Sequence, residues 1–279
     1  MKIHAIRINK IFFTSMLILS LGYTGTLTFT TDVEVDDLTI AAGDKIIVST
    51  AKKLTVNGAV SITGTLQMEG TSIVDATGDV TVEGAGTLDM NGSSRLKTEG
   101  HLTFNGGTLD PEDGTGIDMD GGSSQNITGT TIVGNFKSIT CRRNATVFNL
   151  TATIEDSLDT GGQNFTISGS KTLTMDAGSI VVVSGGTWTR TGTLLLNATS
   201  TVKYTGSGST MQPETYGNLI HTDGLLTQQA GGTLDIAGTF TNTSGNFNAT
   251  QPITANELVW TAGNVTGSPS QTWTIGTGG

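Results

Sequence analysis

Between Gly64 and Gly107 the chain alternates apolar and polar residues in short runs, and the same succession of runs is written twice. Leu66/Met68, Val80/Val82, Leu88/Met90 and Leu102/Phe104 set apolar side chains two residues apart, with Gln67, Thr81, Asp89 and Thr103 between them. A period of two is that of a short strand with one buried and one wet face. A third run, Ser72-Ile73-Val74 in one copy and Ser94-Arg95-Leu96 in the next, completes each succession. Most runs close on Gly, after Glu or Asn (Glu69-Gly70, Glu83-Gly84, Asn91-Gly92, Asn105-Gly106), where a turn with positive φ favours a residue without Cβ. Three runs and three turns make a coil of about 22 residues, a period that marks a solenoid. One coil cannot bury its own apolar face, so it needs neighbours stacked about 4.8 Å above and below. In that stack Leu66 lies under Leu88 and Val80 under Leu102.

The same grammar runs through the rest of the chain. It begins at Thr26-Leu27-Thr28-Phe29 and recurs as late as Leu258-Val259-Trp260 and Trp273-Thr274-Ile275. The pattern therefore predicts an all-β fold, a parallel β-solenoid (β-helix) of about eleven or twelve coils. An export signal over residues 1–22 is followed by N-terminal coils with a cap over 23–121 and further, continuous coils over 122–279. The first strand, with Asp32, Glu34, Asp36 and Asp37, reads as the cap, because charge on an open edge discourages pairing with another chain. A longer interval, from Gly134-Asn135-Phe136 to Gly217-Asn218-Leu219, keeps tandem β-sandwich modules as the alternative fold. A third copy of the sentence opens at Gly107-Thr108-Leu109-Asp110 and departs from it at Pro111, so function is to be sought from Pro111 onward.

Composition sharpens this picture. Charged residues make up 14% and aromatic residues 5% of the 279 residues, with 39 Gly. An average globular chain carries about 25% charged residues. Thr makes up roughly a fifth of the chain, and β-branched polar residues suit the wet face of a strand. The net charge of -10 argues against nucleic acid or an anionic membrane as a partner, since both need clustered Lys and Arg. At the N-terminus Lys2, Arg7 and Lys10 precede the apolar run Ile11 to Leu21, which is too short to span a bilayer and suits a secretory signal. This predicts an extracellular or cell-surface protein with no transmembrane span in its mature form. Cys141, the only cysteine, reads as a small buried hydrophobe. The chain stops in mid-pattern at Gly276-Thr277-Gly278-Gly279, as a piece of a longer protein would.

Candidate chemistry is sparse. Five carboxylates fall between Asp110 and Asp120, and Asp113, Asp118 and Asp120 form a weak Ca²⁺ candidate, because hard cations favour clustered oxygen ligands. No other metal or cofactor is expected, and no catalytic residues are assigned. A polysaccharide lyase or hydrolase is the enzymatic alternative, with Asp118, Asp120, Asp156 or Asp159 set against Arg142 or Arg143. His101 and His221 stand alone in strand contexts and read as structural. Thr65, Thr87 and Thr108 form one expected outward row and Thr55, Thr81 and Thr103 another, either of which could bind glycan or ice. Trp188, Trp260 and Trp273 read as core or edge fillers.

Part of the chain resembles a known class. Ser200-Thr201-Val202-Lys203-Tyr204-Thr205-Gly206-Ser207-Gly208, followed by Thr215-Tyr216-Gly217-Asn218-Leu219, is similar to the β-solenoid repeats of large bacterial secreted and surface proteins. These include autotransporter passengers and filamentous-haemagglutinin-like adhesins, and the resemblance is closest over residues 165 to 275. It implies a structural or adhesive stalk that meets glycans or a host or neighbouring cell surface and performs no catalysis.

Overall fold

The computed structural model describes residues 17–19, 25–185, 188–206, 208–211, 214–228, 232–267 and 272–276. Residues 1–16 and 20–22 of the expected export signal lie outside the described residues. The fold is all-β without helix, a parallel β-solenoid of about 11 turns with coils of about 21 residues. Parallel pairing at an offset of one coil excludes the tandem-sandwich alternative, whose sheets are antiparallel. No helix among the described residues is long and apolar enough to cross a membrane. The chain divides into two units, Met1–Ala152 and Thr153–Gly279.

In the first unit each coil contributes one strand to each of three faces. The first face stacks Thr26–Phe29, Lys45–Val48, Thr65–Met68 and Thr87–Met90, then the later half of the long strand Leu102–Pro111. The second stacks Val33–Val35, Lys53–Val56, Ile73–Ala76, Arg95–Thr98, Gly116–Met119 and Phe136–Cys141. The third stacks Leu38–Ile40, Val60–Ile62, Val80–Glu83, the earlier half of Leu102–Pro111, Gln125–Val133 and Thr146–Asn149. Leu66 pairs with Leu88, and Val80 with Leu102, in the predicted register.

Alternation gives this unit its core. Leu66, Met68, Val74, Ala76, Val80 and Val82 of one coil are fully buried, and the coils on either side repeat the arrangement. Burying a side chain the size of Val, Leu or Met stabilises by about 1.5–3 kcal/mol, more than the roughly 1 kcal/mol net of a typical hydrogen bond, so the inward rows dominate. Phe104, Phe136 and Phe148 meet edge to face along the interior, with ring centroids 5.7 and 6.0 Å apart. Cys141 is buried among these residues as a small hydrophobe.

The corners obey steric rules. A Cβ at Gly86 would lie 2.1 Å from the carbonyl oxygen of Ile62 in the coil below, so the corner closes only around glycine. Gly92, with φ of 66°, opens the turn Asn91-Gly92-Ser93-Ser94, in which the Ser94 N–H donates to the Asn91 carbonyl. The corner Glu112-Asp113-Gly114-Thr115 closes in the same way, from Thr115 N–H to Glu112 carbonyl.

Two expectations change here. The pattern does not break at Pro111, which stays in register with Met90, and Gly116–Met119 is an ordinary rung of the second face. Ser, Thr and Gly at the corner preserve the turn although the wording of the repeat is lost. Irregularity lies instead at Asn105-Gly106, where Leu102–Pro111 shifts register against Glu83, and again in Gln125–Val133, whose pairing with Leu102–Pro111 shifts beyond Phe104. The first strand ends its stack, paired with Lys45–Val48, and Leu17–Leu19 pairs in parallel with Leu38–Ile40. The acidic cluster ties the first coil to the second: Asp32 accepts from the Lys53 N–H at 2.9 Å, Asp37 from the Ala59 N–H at 2.7 Å, and Glu34 from the Asn57 amide at 2.9 Å.

The second unit follows the same plan. Ile180–Val183, Thr201–Tyr204, Asn218–His221, the later half of Leu234–Asn242 and the later half of Ile253–Trp260 form one parallel stack. A second stack comprises Ser209–Met211, Leu225–Gln228, Asn246–Ala249 and Val265–Gly267. Trp188 is buried against Phe165, and Trp260 and Trp273 pack on Phe240, so all three indoles serve as core or edge fillers.

Candidate functional site

The second face of the first unit gathers the candidate residues. Asp118 points outward from Gly116–Met119, yet its side chain is only 2% exposed. Two arginines cover it. Arg142, just past the strand of the coil above, places Nη2 3.0 Å from Asp118 Oδ2. Arg95, from the coil below, places Nη1 3.6 Å from Oδ1, within ion-pair reach but beyond hydrogen-bond reach, and Oδ1 accepts no hydrogen bond. Gly116 makes room for this arrangement: a Cβ there would lie 2.1 Å from Arg95 Nη1. Lys97 is the in-register neighbour of Asp118 in the coil below. Beside them Arg143 Nε donates to Asp120 at 2.8 Å.

The three Ca²⁺ candidates are thus each engaged by a separate cation. Asp118 meets Arg142 and Arg95, Asp120 meets Arg143, and Asp113 meets Lys137 Nζ at 2.8 Å. The hydrogen bond and charge of Lys137 hold the Asp113 carboxyl below the usual carboxylate range. Among the described residues no group of three or more His, Cys, Asp or Glu side chains is placed to hold a metal ion. Of the residues named for the enzymatic alternative, Asp118 and Asp120 are brought to Arg142 and Arg143, with the charges closed on one another. Asp156 and Asp159 lie on Ala152–Asp159, where Asp159 accepts from the Gly161 N–H at 2.8 Å.

The first face carries carboxylates in a different setting. Asp89 and Asp110 are direct neighbours in adjacent coils. Partial burial, with Asp110 and Glu112 nearby, raises the Asp89 carboxyl against the lowering effect of its hydrogen bond from Asn91.

Both Thr rows can now be placed. Thr65, Thr87 and Thr108 are in register on the first face. Thr81 and Thr103 are in register on the third, but Thr55 belongs to the second face, between Glu34 and Asp75. Spacing alone assigned it to the wrong strand of its coil. The row on the third face is longer than expected: Thr39, Ser61, Thr81, Thr103 and Thr128 follow one another through five coils, all half-buried. At about 4.8 Å per coil it spans about 19 Å.

Polar chemistry also lies inside the second unit. Tyr204, His221 and Asn242 succeed one another in a single inward row, all fully buried. The Asn242 amide nitrogen donates to the Ala262 carbonyl at 2.6 Å, which turns its Oδ1 toward His221 Nδ1, 2.5 Å away. His221 Nε2 lies 2.8 Å from the Asp223 carbonyl, so both ring nitrogens face acceptors. The phenol oxygens of Tyr204 and Tyr216 are 3.5 Å apart, and burial pushes the Tyr204 hydroxyl up to about 12. Arg190 and Glu214 form an ion pair beside Tyr216, around a crevice with no room for a water molecule. His101 is structural as well, its Nδ1 accepting from the Asn126 N–H at 3.0 Å.

Comparison with family models, curated proteins and solved structures returned no match. Sequence reasoning missed Arg95, Lys97 and Gly116, which belong with Asp118. The signal was there: carrying the one-coil register on from Leu96 to Ile117 sets Arg95 beside Gly116 and Lys97 beside Asp118.

Proposed function

We propose that this chain is an exported, non-catalytic β-solenoid that acts as a stalk or adhesive segment at a cell surface, through extended faces rather than a pocket. The observation that carries this reading is the row Thr39, Ser61, Thr81, Thr103 and Thr128, which presents a hydroxyl at the same place in five successive coils. A contact made by one coil is thereby offered again by the next, as in the extended surfaces of other solenoids. The apolar run after Lys10 supports export.

Two measurements test this reading. Protease shaving of intact producing cells should remove the protein, and protection inside the cell would end the export claim. Purified Thr81→Glu/Thr103→Glu protein should lose adhesion to cells that the native protein retains, and equal adhesion would remove the hydroxyl row as the contact. The same row favours a second reading, an ice-binding face, for which thermal hysteresis lost in that variant is the expected sign.

A further inference from the structure

We infer that the second face of the first unit carries a binding site for an acidic glycan, built from Arg95, Lys97, Arg142 and Arg143 around Asp118 and Asp120. This rests on the surface-acting reading above and names a ligand class and a face for it.

The net charge of -10 conceals this cluster, because charge is segregated locally, within a face that also carries Glu34 and Asp75. The first face stacks Asp89 on Asp110, while the second brings four cationic side chains to one place, two from the coil below Asp118 and two from the coil above it. Depth is segregated too. The carboxylates lie underneath, Asp118 at 2% and Asp120 at 22% exposure, and the guanidinium groups lie outside, Arg142 at 49% and Arg143 at 61%. An approaching ligand meets the cations first.

The carboxylates act as positioning groups. Asp118 takes one nitrogen of Arg142 and draws Arg95 across Gly116, and Asp120 takes Nε of Arg143. Each guanidinium has five N–H donors, so most of its fork remains available. Because the side chains are already ordered, a ligand meets a smaller entropic cost than it would on free arginines. Planar forks match carboxylate and sulfate oxygens bidentately, and this is the chemistry the site selects.

An acidic glycan fits better than a nucleic acid. Duplex DNA carries a charge about every 1.7 Å of its axis, more than four cations shared with Asp118 and Asp120 can neutralise beside a rim where Asp75 and Asp113 already hold Lys53 and Lys137. A glycan with one carboxylate or sulfate every sugar or two can place its charges on the four cations and its uncharged stretches over that rim.

The test uses the purified full chain with polygalacturonate, heparin, neutral dextran and a duplex DNA, read by biolayer interferometry over a range of salt. The native protein should bind polygalacturonate or heparin, not dextran, with affinity falling as salt rises. Arg142→Gln/Arg143→Gln should bind about tenfold more weakly or worse with unchanged circular dichroism at the assay temperature, held below a melting point that falls because Asp118 loses a covering guanidinium. Equal binding by the variant, tighter binding of DNA than of either acidic glycan, or no binding of either glycan at low salt would each overturn the assignment. Failure here leaves cell shaving and the Thr81/Thr103 variant free to succeed, so the two readings fail separately.

Discussion

Two inward rows, one from each unit, fill the interior with different chemistry. In the first unit Val35, Val56, Ala76, Thr98, Met119 and Cys141 succeed one another in register, and all but Thr98 are apolar. In the second unit the row runs Val183, Tyr204, His221, Asn242 and Trp260, with three consecutive polar or half-polar side chains. An apolar row stabilises whichever coil lies next to it, because burial has no direction. A polar row stabilises only the coil that brings the correct partner, because a buried polar group left unpaired is costly. His221 needs Asn242 from the next coil and the Asp223 carbonyl at its own corner, so this row specifies which coils are neighbours.

The most severe way to break this distinction is His221→Leu. Leucine roughly keeps the volume but orphans the buried Asn242 Oδ1, at about 1–3 kcal/mol, and removes a bond worth about 1 kcal/mol to the carbonyl of exposed Asp223. Denaturant unfolding should show a loss of about 2–4 kcal/mol, with faster amide exchange in Asn218–His221 and Leu234–Asn242. His221→Leu/Asn242→Leu should recover part of that loss, giving a measurable coupling between the two sites. A single variant as stable as the native chain would mean the polar row specifies nothing.

Alkaline pH probes the same row with a smaller effect. Burial raises the Tyr204 hydroxyl to about 12 and that of Tyr216 well above its usual value, so both phenols stay protonated in the fold. The unfolded chain ionises near pH 10. The contribution of Tyr204 is therefore complete below about pH 10 and is lost as pH rises from 10 through 12, up to about 3 kcal/mol. Stability measured over that window should fall, tyrosinate absorbance of these two residues should rise only with unfolding, and Tyr204→Phe should flatten the slope. Ionisation of both near pH 10 in folded protein would contradict their burial.

The contrast between rows also shows what the sequence could tell. Apolar rows were legible because pairs such as Leu66/Met68 and Leu88/Met90 on the first face repeat with the coil, and periodicity is what burial writes into a chain. Asp118 was legible as a residue and not as a site. Its partners Arg95 and Arg142 lie 23 residues before it and 24 after it, and they become neighbours only once the register is carried through the altered corner at Glu112 to Thr115. Thr55 was misplaced for a related reason, since a Thr between apolar residues looks the same on any face. His221 was read as structural, but its partner Asn242 sits in a stretch rich in Asn and Thr, where no single amide stands out.

The smallest effect sharpens the comparison from the apolar side. Thr98 is the one polar member of its row, fully buried, donating to the Gly78 carbonyl at 3.0 Å and accepting from the Gly100 N–H at 3.2 Å. Its contacts join two adjacent glycine corners, so it does locally what Asn242 does between coils. Thr98→Val keeps the shape and removes both hydrogen bonds, and unfolding should register a loss of about 1–2 kcal/mol. Met119→Leu, one coil further along the same row, conserves volume and should cost less than about 1.5 kcal/mol, closer to zero if the site repacks. A Thr98→Val variant no less stable than Met119→Leu would mean that partner identity matters only in the second unit. A clear excess for Thr98→Val would make the rule common to both rows, with the number of polar members setting how strongly the order of coils is specified.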